Sequence, residues 1–369
     1  MKRINILLLL AVCMLAYRGY GQDNNSQTVD INTDDSKSCS DGICCCAGNS
    51  QAPLGVMTDH IHNKGSWMIT YTYENTLLQG NNIGTSKASD NEVFKNYMMA
   101  PETMTMQMHM VMAMYGVTDK LTVMAMGGYM TSSMSMNMSS AGMSMPGMVM
   151  PMGSMTMQTS SSGITDTKVW ALYNFSNQAS RRIIGSLGIS LPTGSIEATG
   201  TTMLGDNQRL AYDMQPGTGS YSVDPDITYA RKNGSLYWGA NAGADIKLNY
   251  NPLGYRDGNI YHATAWAGYK FLPFMSATLR AEDVHTNTIS GYDVVINNPV
   301  YQENDPTTRT ANYGGTVVNA YVGLNFYLMR PVIDHFRIMA EYGMPVYQNL
   351  NGTQQALKSN LLAGVQYSF

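Results

Sequence analysis

The stretch YHATAWAGYKF, residues 261–271, alternates strictly between two characters. Tyr261, Ala263, Ala265, Ala267, Tyr269 and Phe271 fall on one side of an extended chain, and His262, Thr264, Trp266, Gly268 and Lys270 on the other. Successive side chains of a strand point to opposite faces, so the segment has one apolar and one mixed face. The same period returns in SLYWGANAGADIKL, where Trp238, Ala240, Ala242, Ala244, Ile246 and Leu248 alternate with Gly239, Asn241, Gly243, Asp245 and Lys247. In LLAGVQYSF, Leu361, Ala363, Val365, Tyr367 and Phe369 oppose Leu362, Gly364, Gln366 and Ser368. One face for lipid and one for a polar lumen is the pattern of a transmembrane antiparallel up-and-down β-barrel.

Carried along the chain, this reading predicts about twelve strands, an even number as bacterial outer-membrane barrels have. They fall near 66–74, 103–115, 120–131, 164–175, 182–192, 223–232, 235–248, 259–271, 274–286, 314–328, 336–346 and 358–369. Connections alternate in length: tight at 116–119 and near 233 and 273, long at 75–102, 132–163, 193–222, 287–313 and 347–357. Short periplasmic turns and long outer loops are expected of such a barrel. The aromatic last strand, ending on Phe369, agrees with an outer-membrane destination. The lumen is expected to carry Glu74, His109, Lys168, Asp245, Lys247, Lys270, Arg280, Glu282, Arg337 and Glu341, either as ion pairs that prop the barrel or as the lining of a solute path.

The N-terminus reads as a secretory signal over residues 1–21, with Lys2 and Arg3, an apolar stretch from Ile4 to Leu15 and a small-x-small site at Gly19-Tyr20-Gly21. Cys13 is a poor lipidation site because Val12 precedes it. Residues 22–65 are then a periplasmic segment and 66–369 the barrel. The net charge of −4 offers no basic surface for nucleic acid.

Methionine is the second anomaly. Of 31 methionines, 21 lie between Met98 and Met157, so the bias demands a local explanation. In TMTMQMHMVMAMYG, Met104, Met106, Met108, Met110, Met112 and Met114 share one face, which suits lipid without any further role, as do Met124 and Met126 in the next strand. In the long outer loop 132–163, Met134, Met136, Met138, Met143, Met145, Met148, Met150, Met152, Met155 and Met157 stand among Ser, Gly and Asn, where lipid cannot explain them. Thioether sulfur selects Cu(I), and by the same softness Ag(I). A membrane-lying hairpin, an oxidation sink or low-complexity drift are the bland alternatives.

Further donors lie near the N-terminus: Cys39, Cys44, Cys45 and Cys46 in CSDGICCC, and Met57, His60, His62 and Met68 in MTDHIHNKGSWM. The thiols suit Cu(I) or Zn(II), or else a disulfide or a lipid tether in an oxidising periplasm. His-x-His sets two rings on one side of a strand, as a copper pair or as a polar rim. His109, amid the methionine strand, is a further candidate ligand. A hydrolase would need Ser, His and a carboxylate to converge, and His262, His285, Ser276 and Glu282 do so only weakly. The chain does not read as an enzyme.

Five blocks then carry a resemblance: PLGVMTDHIHNKGSWMITYTY (53–73), APETMTMQMHMVMAMYG (100–116), SSGITDTKVWALY (161–173), GISLPTGSI (188–196) and MPVYQNLNG (344–352). They resemble a family of bacterial outer-membrane transporters related to the meta-pathway of phenol degradation, over roughly residues 53–369. The resemblance implies a barrel and passage of small solutes. The Met- and His-bearing branch it is most similar to tends to accompany copper-handling proteins. The Cys cluster and the long methionine loop depart from that pattern, so the resemblance assigns them no role.

The leading expectation is an outer-membrane channel or receptor with Cu(I) or Ag(I) as cargo, no organic cofactor, and a periplasmic copper-handling protein as candidate partner. The alternative is a channel for small hydrophobic or aromatic compounds without a metal role.

Overall fold

The computed structural model describes residues 51–139, 155–176, 178, 180–202, 205–298, 304–328 and 335–369. The expected signal peptide, Cys39, Cys44, Cys45 and Cys46, and Met143, Met145, Met148, Met150 and Met152 lie outside the described residues.

Ten wall strands follow the chain: β1 (Trp67–Gly84), β2 (Met99–Thr118), β3 (Leu121–Met138), β4 (Met155–Ile164 continued by Thr167–Asn174), β5 (Arg181–Leu191), β6 (Ser222–Asn233), β7 (Leu236–Lys247), β8 (Ile260–Leu272), β9 (Met275–Thr286) and β10 (Gly315–Leu328). Each pairs antiparallel with the next. In the last stretch, Phe336–Ser368, residues 336–350 pair antiparallel with β10 and residues 350–368 pair antiparallel with β1. A closed ring in which every neighbour is antiparallel must contain an even number of strands, so this stretch is not one straight strand. It turns back at Asn351 and Gly352, whose φ of +60° is open to glycine at little steric cost. Leu357 N donates to Gln348 Oε1 across the turn at 2.9 Å, and Ser368 N to His335 O at 3.3 Å. Residues 336–350 are therefore β11 and 353–368 are β12, and twelve strands close the barrel.

Outward positions are apolar, as Leu187, Ile189, Ile227, Leu279 and Val322 show, each more than half exposed. At the end with the short turns, Trp67, Tyr173, Phe175, Tyr269, Phe271, Tyr367 and Phe369 also face out, forming the aromatic girdle of a membrane interface. Among the described residues no helix is long and apolar enough to cross a membrane. A tilted strand needs only about 9–11 residues to cross. At 20 and 18 residues, β2 and β3 therefore continue well beyond the bilayer. Met155–Ile164 pairs with β3 alone, so these strands rise as a tall hairpin above their neighbours.

That hairpin corrects the expected loop 132–163. Met134, Met136 and Met138 lie in β3 and Met155 and Met157 in β4, with Met136 opposite Met157 and Met138 opposite Met155. The alternation continued through SSMSMNM, but its inward face is methionine rather than an obviously apolar residue, which hid the strand. Likewise β1 runs on to Gly84, and the connection after it holds a short strand, Ser86–Ala88, and one helical turn, Asp90–Val93.

Above the wall, Tyr212 packs edge-on against Tyr255 and Tyr313, with ring centroids 4.8 and 5.7 Å away. Beside them Asp213 Oδ1 is buried without a hydrogen-bond partner. Burial, with Asp305 nearby, pushes the Asp213 carboxyl up from its ordinary 3.8 to about 7. The penalty of burying the anion is full above pH 7, because folded and unfolded chains are both ionised there. It fades as pH falls toward 3.8, because the folded cap retains a proton that the unfolded chain has lost. We expect the loops around residues 205–215 to exchange amide hydrogen more slowly at pH 5 than at pH 8 after correction for intrinsic rates, and Asp213→Asn to abolish the difference. Equal protection in the native chain at both pH values would contradict this.

Candidate functional site

The methionine stripe of β2 faces the lumen, not lipid. Met104, Met112 and Met114 are buried while Val111, on the opposite face, is 54% exposed. β3 presents its own methionines to the same side, and the register opposes them directly: Met104 with Met134, Met108 with Met130, Met112 with Met126, and Met114 with Met124. On the other side Met114 faces Met68 of β1. The outer end of this ladder is a cluster of Met99, Met104, Met134 and Met136 closed by Leu210 and Met214, with Met138 and Met157 packed against it. Ser132 Oγ donates to Met214 Sδ at 3.3 Å. The inner end is a second cluster, in which Met68, Met112, Met114 and Met124 surround Ile61 and Trp170, with Met57 and Met126 alongside.

His109 corrects the expected lumenal set. It lies on the outer face of β2, where its Nδ1 is 2.7 Å from Tyr71 Oη and Tyr129 stands opposite on β3. An aromatic and amphipathic patch of this kind suits a bilayer interface. The parity of β2 could have been read from its lower half, since Val111, Ala113, Tyr115 and Val117 share the face of His109.

The N-terminal segment is the second correction. Residues 51–62, expected in the periplasm, run inside the barrel: Ala52, Asp59, Ile61 and His62 are each at most 1% exposed. The wall supplies what this extended segment lacks in secondary structure. Arg337 donates to the Ala52 carbonyl, Gly55 N to Glu341 Oε2 at 2.9 Å, and His62 N to Thr122 Oγ1 at 2.8 Å. Gly55 passes so close to Arg280 that an added Cβ would stand 2.4 Å from its guanidinium. Backbone amides buried in a lumen must find partners, and no periodic pattern in PLGVMTDHIH announces that barrel side chains will provide them.

Around this segment most of the lumenal charges are paired. Lys168 Nζ lies 2.8 Å from Asp245 and 3.1 Å from Asp224, and Lys247 Nζ 2.8 Å from Asp245. Arg280 lies 2.7 Å from Glu341 and 3.0 Å from Glu282, under the ring of Tyr321 at 3.6 Å. Glu74 accepts from Asn360 Nδ2 at 2.8 Å. Lys270 sits over the Tyr327 ring. The expected hydrolytic set does not assemble: His262 binds Asp226 at 3.0 Å, His285 stacks outward with Tyr261, and Ser276 bonds Tyr327 and Asn325.

Two cavities flank the internal segment. One, of about 210 Å³, is lined by Met57, His60, Met68, Met112, Met126 and Arg280, among others. The other, of about 320 Å³, lies among Thr58, Met124, Lys168, Trp170, Asp226 and His262. His60 and His62 hold their rings edge-on with centroids 5.2 Å apart, and the Nε2 of each is buried with no partner. An unpaired buried polar atom costs about 1–3 kcal/mol. Among the described residues no group of three or more His, Cys, Asp or Glu is placed to hold a metal; the donors that crowd this lumen are thioethers.

A closed antiparallel barrel with an apolar belt, aromatic girdle and charged lumen is an outer-membrane channel. More particularly, the chain belongs to the family described as MetA-pathway of phenol degradation, whose model matches residues 118–318. An outer membrane channel from Pseudomonas putida F1 superimposes with a TM-score of 0.54 at 13% identity, covering 83% of this chain and 96% of that one. The transport unit of the autotransporter AIDA-I from Escherichia coli gives 0.46 at 9% identity over 86% and 94%. A Pseudomonas aeruginosa FadL homologue gives 0.38 at 10% identity over 87% and 95%. No curated protein matches the sequence.

Proposed function

We propose that this channel takes a soft monovalent metal as cargo, Cu(I) first and Ag(I) by the same chemistry, along its methionine ladder. The observation that supports this reading is the opposition of thioethers across β2 and β3 inside the lumen. Opposed Cβ atoms on a sheet face lie about 4.5–5.5 Å apart, so two sulfurs can reach one ion. Successive inward positions are about 6.6–6.8 Å apart along a strand, a step over which an ion can be handed on. Thioethers carry no proton to lose, so such donors keep their affinity in acid where Cys and His weaken. Met143, Met145, Met148, Met150 and Met152 would extend the donors outward. Cys39, Cys44, Cys45 and Cys46 would receive the ion, or pass it to a copper-handling partner, in the periplasm.

A second reading has its own support. The cavity beside Trp170 and Met124 suits a small aromatic ring, and the family's description concerns phenol degradation. The two readings separate on a Cu(I) competition titration of refolded protein beside a variant with Met104, Met130, Met134 and Met136 changed to Leu. Leu for Met is close to volume-conserving, usually under about 1.5 kcal/mol, so the barrel persists. We expect several Cu(I) per chain, with the share held between β2 and β3 lost in the variant. Equal binding by both proteins, with a deletion strain unaltered in copper tolerance but impaired on aromatic compounds, would select the second reading.

A further inference from the structure

We propose that the internal segment and the wall together form a discrete nitrogen–sulfur site for Cu(I), with His60 Nε2 as the nitrogen donor and Met57, Met68 and Met112 as the sulfur donors. The proposal rests on the soft-metal reading and deepens it, because it places one defined site at the inner end of the ladder and ties it to a segment that is not part of the wall.

Four features converge there. His60 Nδ1 is 2.6 Å from Asp59 Oδ1. A carboxylate only accepts, so Nδ1 carries a proton, and in the neutral imidazole Nε2 keeps its lone pair for a ligand. Asp59 is itself fixed, since Tyr237 Oη donates to its Oδ2 at 3.2 Å. A carboxylate behind an imidazole is the arrangement that orients metal-binding histidines and raises their basicity. His60 is 5% exposed, and its Nε2 finds no donor in the protein. It lines the 210 Å³ cavity together with Met57 of its own segment, Met68 of β1 and Met112 of β2, and these three methionines also pack in one cluster.

The donor set selects the ion. One neutral imidazole and several thioethers contain no anionic ligand, which disfavours Zn(II) and other harder divalent ions and favours d¹⁰ Cu(I) or Ag(I). A water in the cavity would also satisfy the lone pair, and the two occupants differ in what they do to nearby sulfur. A metal at this position would link residues 57–60 to β1 and β2, so loading the site would hold the internal segment against the wall.

The test uses the full chain refolded in detergent and loaded with Cu(I) under a competing chelator, read by stoichiometry and copper-edge X-ray absorption. The native chain is expected to show a mixed nitrogen and sulfur shell. His60→Gln, which keeps a polar group of similar reach, should lose one Cu(I) per chain and the nitrogen component while the ladder keeps the rest. Asp59→Asn should retain the nitrogen but weaken that one site by about 10–100-fold, as loss of a positioning carboxylate does. Heat-modifiable migration on gels confirms that each variant is a folded barrel. If His60→Gln binds as much Cu(I) as the native chain, with a shell of sulfur alone in both, this site is wrong and the ladder reading survives. If the native chain binds no Cu(I), the ladder reading fails and the site with it.

Discussion

Arg280→Ala is expected to lower the unfolding free energy of the barrel by about 3–5 kcal/mol, the range for breaking a buried ion pair from one side. The side chains of Arg280 and Glu341 are only 3% and 1% exposed, so removing the guanidinium leaves a buried anion without its counter-charge. Glu282 at 3.0 Å adds a second carboxylate to the same pocket, and the face of Tyr321 loses its cation. The remaining donor to Glu341 is the amide of Gly55, which belongs to the internal segment, so the damage should spread to residues 51–62. The double change Arg280→Met with Glu341→Leu removes the deepest charge and leaves Glu282, 21% exposed and still bonded by Tyr321 Oη; it should recover most of the loss, because a buried pair contributes little net against apolar groups of similar size. Equilibrium unfolding by denaturant in lipid vesicles, with an unchanged slope, measures both values. A loss below about 1 kcal/mol in the single variant, the size of an exposed pair, would mean that water reaches Glu341 and that the lumen is wet at this depth.

The barrel was legible because its strands are long enough for the period of two to repeat. In β8 the sequence places Trp266 and Lys270 inward and Tyr261, Tyr269 and Phe271 outward, and the structure agrees. In β7, Asp245 and Lys247 are inward as expected. β2 failed for an identifiable reason. Hydropathy sent its methionines to lipid and His109 to water, but here the lumen contains Ile61, Trp170 and Leu172 and is as apolar as a core. Polarity alone could not tell the two faces apart. The internal segment was illegible for a different reason: it has no regular structure of its own, and its hydrogen bonds end on Arg337, Glu341 and Thr122, at least 60 residues away in sequence. The opposition of Met104 with Met134, and of Met112 with Met126, needed only the turn near residues 118–121 and a count along both strands. Met104 with Met134 stays hidden while residues past 131 read as a loop, and Met112 with Met126 while both stripes read as lipid-facing.

Excising residues 51–62 is expected to raise single-channel conductance at least tenfold, the largest functional change this fold offers. Barrels of this size enclose a narrow space, with roughly eight strands filled by side chains and 16–18 needed for a broad aqueous channel. At twelve strands the wall leaves room for one extended segment, and residues 51–62 take it, with Ile61 and His62 almost wholly buried. The wall does not depend on that segment for its backbone hydrogen bonds, because its ladder from β1 to β12 closes without it. The shortened chain should therefore still insert and run as a heat-modifiable barrel. Its pore would be lined by paired charges of both signs, Lys168 with Asp224 and Asp245 and Arg280 with Glu282 and Glu341, so reversal potentials in a salt gradient should show weak ion selectivity. The same deletion removes His60 and Met57 while sparing Met104 and Met134. The ladder's sulfurs would then stay available to Cu(I) while the proposed nitrogen donor is gone. Planar-bilayer recordings of the native and shortened chains decide the matter. Equal conductance would mean that the aromatic cap of Tyr212, Tyr255 and Tyr313, and not the internal segment, closes the path.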